Sequence, residues 1–140
     1  MTIIRKALIK DCRAVYELCR FPGVLDPDGE PPRMFWIRSF VKEKKLFLVA
    51  EENSRVVGFI MGEKTSGNVM LIWLEAVRCD RQSIGIGKKL LQAVEKECLR
   101  KKIRVVVVYA YAKNKKMLNL LKSFNYRKGN PFYEHEKFFY

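Results

Sequence analysis

The segment from Leu74 to Leu91 (LEAVRCDRQSIGIGKKLL) constrains the fold more than any other part of the chain. An apolar strand pattern ends at Val77, and an amphipathic helix pattern follows a short loop. In that loop, Gly85 and Gly87 allow backbone conformations that other residues rarely adopt. The first N–H groups of such a helix lack intrahelical partners and, with the helix dipole, attract an anion. Because Arg81 and two lysines lie nearby, the segment predicts a site for a diphosphate.

Two common nucleotide-binding motifs do not fit this loop. The dinucleotide-binding fingerprint requires a third small residue where Leu90 stands. The Walker A motif requires a glycine where Gln82 stands and a serine or threonine where Lys89 stands. A two-glycine loop alone is an ordinary turn before a helix, so its meaning depends on the rest of the chain.

The periodicity of apolar residues predicts a mixture of strands and helices around this loop. In chain order, the expected elements are a strand over Thr2–Leu8, a short helix after Asp11, an irregular break over Phe21–Pro32, a helix over Met34–Lys44, strands over Leu46–Glu51, Val56–Met61 and Val69–Val77, a helix over Ile86–Arg100, a strand over Ile103–Ala110, a helix over Lys113–Phe124 and two strands within Tyr126–Tyr140. The run Val105–Val108 is typical of a strand buried on both faces. This order predicts an α/β (α+β) fold, and without repeats or linkers we expect one domain over residues 1–140.

The charge of the chain is strongly positive and uneven. The 140 residues carry 28 basic and 15 acidic side chains, a net charge of +13, and residues 71–140 hold 16 of the basic and 6 of the acidic ones. Such a field attracts anionic partners, for example a phosphorylated cofactor or a nucleic acid, and charge alone does not decide between them. The four cysteines have neither disulfide nor zinc spacing, so we expect reduced thiols and no metal site. Without an export signal or a membrane-length apolar run, we expect a cytoplasmic protein.

The pattern Gln/Arg-x-x-Gly-x-Gly/Ala that begins at Gln82, between a strand and an amphipathic helix, resembles the acyl-CoA-binding motif of the GNAT superfamily of N-acetyltransferases. The likeness covers essentially the whole chain, because the predicted elements follow that family's order. Asn114 after the fifth strand matches a family asparagine, and Asn125 stands where the family usually has a helix-ending glycine. The resemblance implies one GNAT-like domain: a mixed, mostly antiparallel twisted sheet of six to seven strands, about four helices, and splayed fourth and fifth strands.

The resemblance also implies acetyl-CoA as the acyl donor. Its pantetheine arm would insert between the splayed strands, and its diphosphate would lie on the loop. The backbone N–H near Val77 would polarise the thioester carbonyl. The residues implied in binding are Val77, Arg78, Cys79, Gln82, Ser83, Ile84, Gly85, Ile86, Gly87, Lys88 and Asn114.

A base must remove a proton from the acceptor amine before the amine attacks. Glu75 is the first candidate because it precedes Val77 by two residues; alternatively, it is a carboxylate paired with a lysine or arginine on the sheet. By the resemblance, Tyr109 aligns with a glutamate that serves as base in some relatives that acetylate ribosomal proteins, so that particular base is absent here. His135, the only histidine, has a pKa range that suits a proton relay, or it lies simply on the surface.

Relatives commonly carry a tyrosine that protonates the departing thiolate, and this chain has Leu121 at that position. A thiolate with a pKa near about 8.5 leaves without a strong acid, so activity can survive. Water, Tyr126 or Tyr111 are the alternatives for this role.

The acceptor side of the family's fold contains a cluster of carboxylates in this chain, which favours a cationic amine unless these residues only form turns. The residues are Asp26, Asp28, Glu30, Glu134 and Glu136. The leading hypothesis is therefore direct, acetyl-CoA-dependent transfer of an acetyl group to a protein N-terminus, a lysine or a small amine, by a monomer or homodimer. The alternatives are a catalytically idle acyl-CoA-binding regulator and a basic module that binds RNA or the ribosome.

Overall fold

The computed structural model describes residues 1–21, 24 and 30–139. These residues form two compact units, Met1–Tyr109 and Ala110–Tyr140. Most of the break expected over Phe21–Pro32 lies outside the described residues, as do Asp26 and Asp28 of the acceptor-side cluster. In the part of the chain that is described, no helix combines the length and the apolar character needed to cross a membrane.

The first unit contains a five-stranded sheet with the strands in chain order. Its elements are β1 (Ile3–Lys6), α1 (Cys12–Leu18), α2 (Met34–Lys42), β2 (Leu46–Glu52), β3 (Arg55–Thr65), β4 (Val69–Val77), α3 (Ile86–Arg100) and β5 (Val105–Val108). Strands β1 to β4 pair antiparallel, and β5 pairs parallel to β4 after the α3 crossover. The expectation of a mixed, mostly antiparallel sheet is confirmed.

A two-residue hairpin joins β2 and β3, as the polar stretch between them predicts. Glu52 pairs with Arg55, and Asn53 and Ser54 between them have φ angles of 48° and 62°. Positive φ at both central residues is the mirror-image turn whose twist matches two antiparallel strands. The turn therefore sets the register of β2 against β3 next to it, up to the bulge between Ala50 and Glu51.

The sheet has a separate apolar core on each face. Helices α1 and α2 cover one face, where Phe40 of α2 and Phe59 of β3 are fully buried. Helix α3 covers the other face and packs Leu90 and Val94 against Ile60. The periodic apolar positions of the helices account for both layers, since each helix buries one stripe against the pleat.

Strand β5 is shorter and less buried than its valine run suggests. It spans Val105–Val108 rather than Ile103–Ala110, and its residues are half-buried or exposed. Only Val106 and Val108 pack against the core on the α3 side. A run of valines records apolar content but not the number of covered faces, so the prediction of a strand buried on both faces was wrong.

The second unit contains helix α4, Lys115–Ser123. The Asn114 side chain caps it by accepting a hydrogen bond from the Met117 N–H at 3.1 Å. Asn125 follows its C-terminus with a φ of 64°, which confirms the left-handed position expected for the residue that replaces glycine.

The two strands expected within Tyr126–Tyr140 are not seen. Residues 126–139 form no regular element, so the described chain has five strands rather than six to seven, together with four α-helices as expected. A lone two-stranded ribbon is marginal in water unless it packs an apolar face. Here Tyr133 and Phe139 are 92% and 83% exposed and provide no such face.

Candidate functional site

Part of one edge of β4 is open. The β4–β5 ladder ends at the pair Ile72–Val108, whereas β4 continues to Val77 beside β3. At the end of β4 the Arg78 N–H donates to the Val57 carbonyl at 2.8 Å. Successive backbone groups of a strand point to opposite edges, so the N–H and C=O of Val77 point away from β3. They face the edge that the ladder with β5 leaves open.

A β-bulge in β4 determines which way Glu75 points. Met61 pairs with Leu74, and the next β3 residue, Gly62, pairs with Ile72, so Trp73 is the extra residue. Because side chains alternate along a strand, one inserted residue exchanges the two faces. Ile72 accordingly packs on the α3 side and Leu74 on the α1–α2 side. Glu75 therefore projects to the α3 side.

Glu75 is a half-buried residue whose carboxyl group forms no ion pair with the described residues. It lies across from Ile60, which is fully buried in the core under α3. Its Oε2 atom has no exposed surface and no hydrogen-bond partner among the described residues. Burial raises the pKa of Glu75 to about 8. The alternative of an ion pair with a lysine or arginine is therefore wrong for the described residues, and the group is suited to accept a proton near neutral pH.

The loop after β4 is tied back to the strand end. The Gln82 side-chain Nε2 donates to the Val77 carbonyl at 2.9 Å. Ser83 and Gly85 have left-handed φ angles of 65° and 93°. A Cβ at Gly85 would meet nothing within 4 Å, so the positive φ, rather than crowding, selects glycine here. These contacts place the start of α3 close to Val77 along the chain and in space.

The first turn of α3 is built to receive a negative group. The Lys89 N–H donates to the Gly85 carbonyl at 3.0 Å, so the N–H groups of Ile86, Gly87 and Lys88 precede the first intrahelical bond. No side chain caps the helix and no acidic residue lies in its first turn, while the side chains of Lys88 and Lys89 are exposed. Cations at a helix N-terminus oppose the helix dipole. An anionic ligand would relieve that repulsion.

The two arginines of the loop are already paired. Arg78 forms a two-point ion pair with Asp80, and Arg81 binds Glu52 at 2.6 Å. Glu52 also accepts a hydrogen bond from Thr2 at 2.7 Å. The cations next to the loop that are not engaged in ion pairs with described residues are therefore the lysines of α3, not these arginines.

The structure brings together the predicted residues of β4, the loop and α3 within the first unit. Tyr109 follows the last β5 residue and stands level with the bulge, because Val108 pairs with Ile72. Neither Tyr109 nor Tyr111 lies on a strand, because β5 ends at Val108 and not at Ala110 as expected. Asn114 and His135 belong to the second unit, where Asn114 caps α4 and His135 is exposed.

Among the predicted carboxylates on the acceptor side, three are described and all are exposed: Glu30 in the first unit, and Glu134 and Glu136 in the second. Leu121 is buried in α4, at 8% exposure. No group of three or more histidine, cysteine or acidic side chains placed to hold a metal ion occurs within residues 1–21, 24 and 30–139.

Sequence reasoning missed three features of this region. Two of them are the bulge at Trp73 and the Gln82–Val77 hydrogen bond. Both depend on strand register, and no local residue pattern predicts them. The third is an open groove of about 820 Å³ on the α1 side, whose lining includes Phe21 and Cys79. Three of the charged side chains that line this groove neutralise one another, since Arg5 pairs with Asp11 and Glu51.

Three groups lie at one end of the sheet. They are the outward backbone N–H of Val77, the half-buried carboxyl group two residues earlier, and a helix N-terminus with two lysines. An N–H group stabilises developing negative charge on a carbonyl oxygen. A carboxyl group of raised pKa exchanges protons near neutral pH. The helix N-terminus binds phosphate. Together, these three groups match the chemical requirements of acyl transfer from a phosphorylated carrier.

Comparison with known proteins agrees with this geometry. The sequence profile of the acetyltransferase (GNAT) family matches residues 9–126. No curated protein sequence matches the chain.

Several solved structures are similar to it. An alanine N-acetyltransferase of a ribosomal protein from Escherichia coli is 18% identical with a TM-score of 0.80, over 93% of this chain and 80% of that one. A diaminobutyrate acetyltransferase from Paenibacillus lautus, in complex with diaminobutyric acid and coenzyme A, is 21% identical with a TM-score of 0.77, over 89% and 74%. The PaiA N-acetyltransferase from Thermoplasma acidophilum, in complex with coenzyme A, is 22% identical with a TM-score of 0.69, over 89% and 88%.

Proposed function

This chain belongs to the acetyltransferase (GNAT) family of acyltransferases, and on that premise we propose that it moves the acetyl group of acetyl-CoA directly to a primary amine. The observation that carries the proposal is the placement of Glu75. Its half-buried carboxyl group, with Oε2 covered and no ion pair to the described residues, lies on the face under α3. It precedes Val77 by two residues, on the strand that the α3 loop follows.

Acetyl-CoA fits the first unit through its phosphates and its amide-rich arm. The diphosphate would accept hydrogen bonds from the N–H groups of Ile86, Gly87 and Lys88, and the Lys88 side chain would add charge. The arm would pair with the Val77 backbone along the open edge of β4. Gln82 keeps the loop and this edge together through its bond to the Val77 carbonyl. The bound thioester supplies an activated acetyl group.

Glu75 would take the proton that the amine must lose. The amine gives its proton to the Glu75 carboxylate, directly or through water, and its nitrogen attacks the acetyl carbonyl carbon. The carbon–sulfur bond breaks, and CoA leaves as a thiolate that takes up a proton from water. The Val77 N–H would hold the carbonyl oxygen as negative charge develops on it. Because the pKa of Glu75 is about 8, the fraction of active carboxylate rises with pH through this value, and so should the rate.

Direct transfer is favoured over an acyl-enzyme on a cysteine. Cys12, Cys19 and Cys98 are buried, and Cys79 is exposed. Cys79 borders the groove on the α1 side, whereas Glu75 faces α3. A covalent route needs a base beside its nucleophile, and Glu75, which faces α3, does not lie on the side of that groove.

The acceptor we propose is a cationic amine: a protein N-terminus, a lysine or a small amine. The E. coli relative is named for alanine N-acetylation, and the P. lautus relative binds diaminobutyric acid. In the first unit, Glu30 is exposed, and a carboxylate suits a cationic acceptor.

The test is release of free CoA thiol when purified protein is mixed with acetyl-CoA and a panel of amines, together with a mass gain of one acetyl group on the acceptor. The panel contains peptides with free N-termini, peptides with internal lysines, and diamines. Glu75→Gln should bind acetyl-CoA normally and release thiol slowly. Thiol release with no acetylated acceptor, or acetylation that survives Glu75→Gln undiminished, would contradict this mechanism.

The rival function is an acyl-CoA-binding regulator without activity. Its support is Leu121, which is buried in α4 where relatives commonly carry a tyrosine. The same panel distinguishes the two functions, because a regulator binds acetyl-CoA but releases no thiol with any amine.

A further inference from the structure

The end of the sheet farthest from the candidate site carries most of the unneutralised positive charge of the first unit. Residues 42–45, 63–68 and 97–104 contain eight basic and three acidic side chains. We call this surface the basic end. The opposite end, residues 51–55, 78–82 and 85–89, has five basic and three acidic side chains. The need of a phosphorylated cofactor for positive charge therefore does not explain the basic end.

The pairing of charges sharpens this contrast. At the basic end the three carboxylates are engaged by cations of the same surface: Lys45 binds Glu63 at 2.8 Å and lies 3.6 Å from Glu43, and Arg100 binds Glu97 at 2.6 Å. Five other cations there form no ion pair within the described residues: Lys42, Lys44, Lys64, Lys102 and Arg104. All five are exposed.

The topology places these cations on one continuous surface. Helices α2 and α3 cover opposite faces of the sheet, and both end here. The Lys45 N–H donates to the Phe40 carbonyl, which fixes the turn between α2 and β2. Asn68 joins the β3–β4 turn to the segment before β5: its side chain donates to the Lys102 carbonyl, and its carbonyl accepts from the Arg104 N–H at 2.9 Å. These bonds tie neighbouring connections of the basic end together.

Two lysines of the basic end occupy positions that usually hold glycine or asparagine. Lys44 and Lys102 follow the C-caps of α2 and α3 with φ angles of 54° and 57°. Glycine adopts this left-handed conformation at lower cost. The helix dipole favours a cation in the last turn of each helix, but it does not account for five unpaired cations across three neighbouring connections.

We propose that the basic end binds a nucleic-acid strand through its phosphodiester backbone. Cations without ion pairs across the ends of β2 to β5 suit a linear polyanion, since such contacts release the counterions of the phosphates. Membrane insertion is disfavoured because Leu99 is the one large apolar side chain of the basic end that is more than half exposed. The surface lies roughly 26 Å from the candidate site along β4, well beyond the screening length.

The test compares two quadruple variants of equal net charge. Lys44, Lys64, Lys102 and Arg104 are replaced by glutamine in the first; Lys6, Lys10, Arg33 and Lys96, which are exposed elsewhere in the first unit, are replaced in the control. Binding of a labelled oligouridine of about 20 nucleotides, longer than a usual single-strand site, is measured by anisotropy at two salt concentrations. Affinity for CoA is measured in parallel as a check on folding.

The parent is expected to bind the oligouridine with an affinity that falls about 50-fold between 50 and 200 mM salt, the value for about four phosphate contacts. The first variant should bind at least about tenfold more weakly with a much smaller salt dependence, while the control variant stays close to the parent. Both variants should keep the parent's affinity for CoA.

Four results would overturn the proposal. The first is no binding of the oligouridine by the parent at the lower salt concentration. The second is an equal loss of affinity in both variants, which would show that binding depends on the net charge and not on the basic end. Displacement of the oligouridine by saturating CoA would locate it at the opposite end. Equal or tighter binding of polyglutamate or of anionic phospholipid vesicles would assign the surface to an acidic protein or a membrane instead.

Discussion

Replacing Glu75 with glutamine separates a catalytic carboxylate from a merely buried one, because the two roles predict different pH profiles. Between pH 4.5, the ordinary pKa of the group, and about 8, its pKa in the folded chain, the native state holds a proton that the unfolded state releases. Stability of the parent therefore falls as pH rises through this window. The full difference corresponds to about 5 kcal/mol above pH 8.

Glutamine keeps the shape of the side chain and does not titrate. The free energy of unfolding of Glu75→Gln should match that of the parent near pH 5 and exceed it by several kcal/mol at pH 9. Urea denaturation at pH 5, 7 and 9 measures this difference. Glu95→Gln, which removes a half-exposed carboxyl group from α3, is the control and should stay within about 0.5 kcal/mol throughout.

Turnover should change in the opposite direction. Loss of the proton acceptor should lower kcat by about 10²–10⁴-fold at neutral pH, and less as the pH approaches the pKa of the amine itself. A stabilised variant with impaired turnover is the expected combination. If the stability difference does not vary with pH, Glu75 is not buried as described; if turnover per folded molecule is unchanged, it is not the base.

Three further predictions concern the loop, the helix start and an ion-pair cluster. Gly85→Ala and Gly85→Val should both lower the free energy of unfolding, measured by urea denaturation, by about 1–2 kcal/mol because φ is 93°. Calorimetry should show an additional loss of acetyl-CoA affinity for the Val variant alone. Equal acetyl-CoA affinities of the two variants would place the diphosphate elsewhere. Replacing Lys88 and Lys89 with glutamine should weaken acetyl-CoA binding at low salt and matter less at high salt, whereas a salt-independent effect would argue against charge as the cause. Arg5→Met should lower the free energy of unfolding by about 3 kcal/mol, because Arg5 lowers the pKa of buried Asp11. This loss should be present above pH 4 and disappear as acid protonates Asp11. Equal thermal stability of the variant and the parent at pH 7 would contradict this prediction.

The elements that sequence analysis located well are those with strong local signals. The β2–β3 hairpin, the amphipathic α3 and the left-handed Asn125 each follow from a few neighbouring residues. The loop from Gln82 to Lys88 was recognisable for the same reason, since a strand, two glycines and a helix are adjacent in the chain.

The features that sequence analysis missed depend on contacts between distant segments. The bulge at Trp73 arises from the register of β3 against β4, and it alone turns Glu75 toward α3. The burial of Glu75 depends on Ile60 across the sheet. The limits of β5 and the absence of regular structure in residues 126–139 depend on which faces are covered, which apolar residues alone do not reveal.

Hydrogen–deuterium exchange with and without acetyl-CoA locates the acyl-donor site without relying on turnover. We expect slower exchange of the amides of Val77, Ile86, Gly87 and Lys88 when acetyl-CoA is present. The Lys89 amide, already bonded to the Gly85 carbonyl, should change little, and so should the amides of the basic end. Protection confined to the groove on the α1 side, or no change at the start of α3, would contradict the assignment of the acyl-donor site.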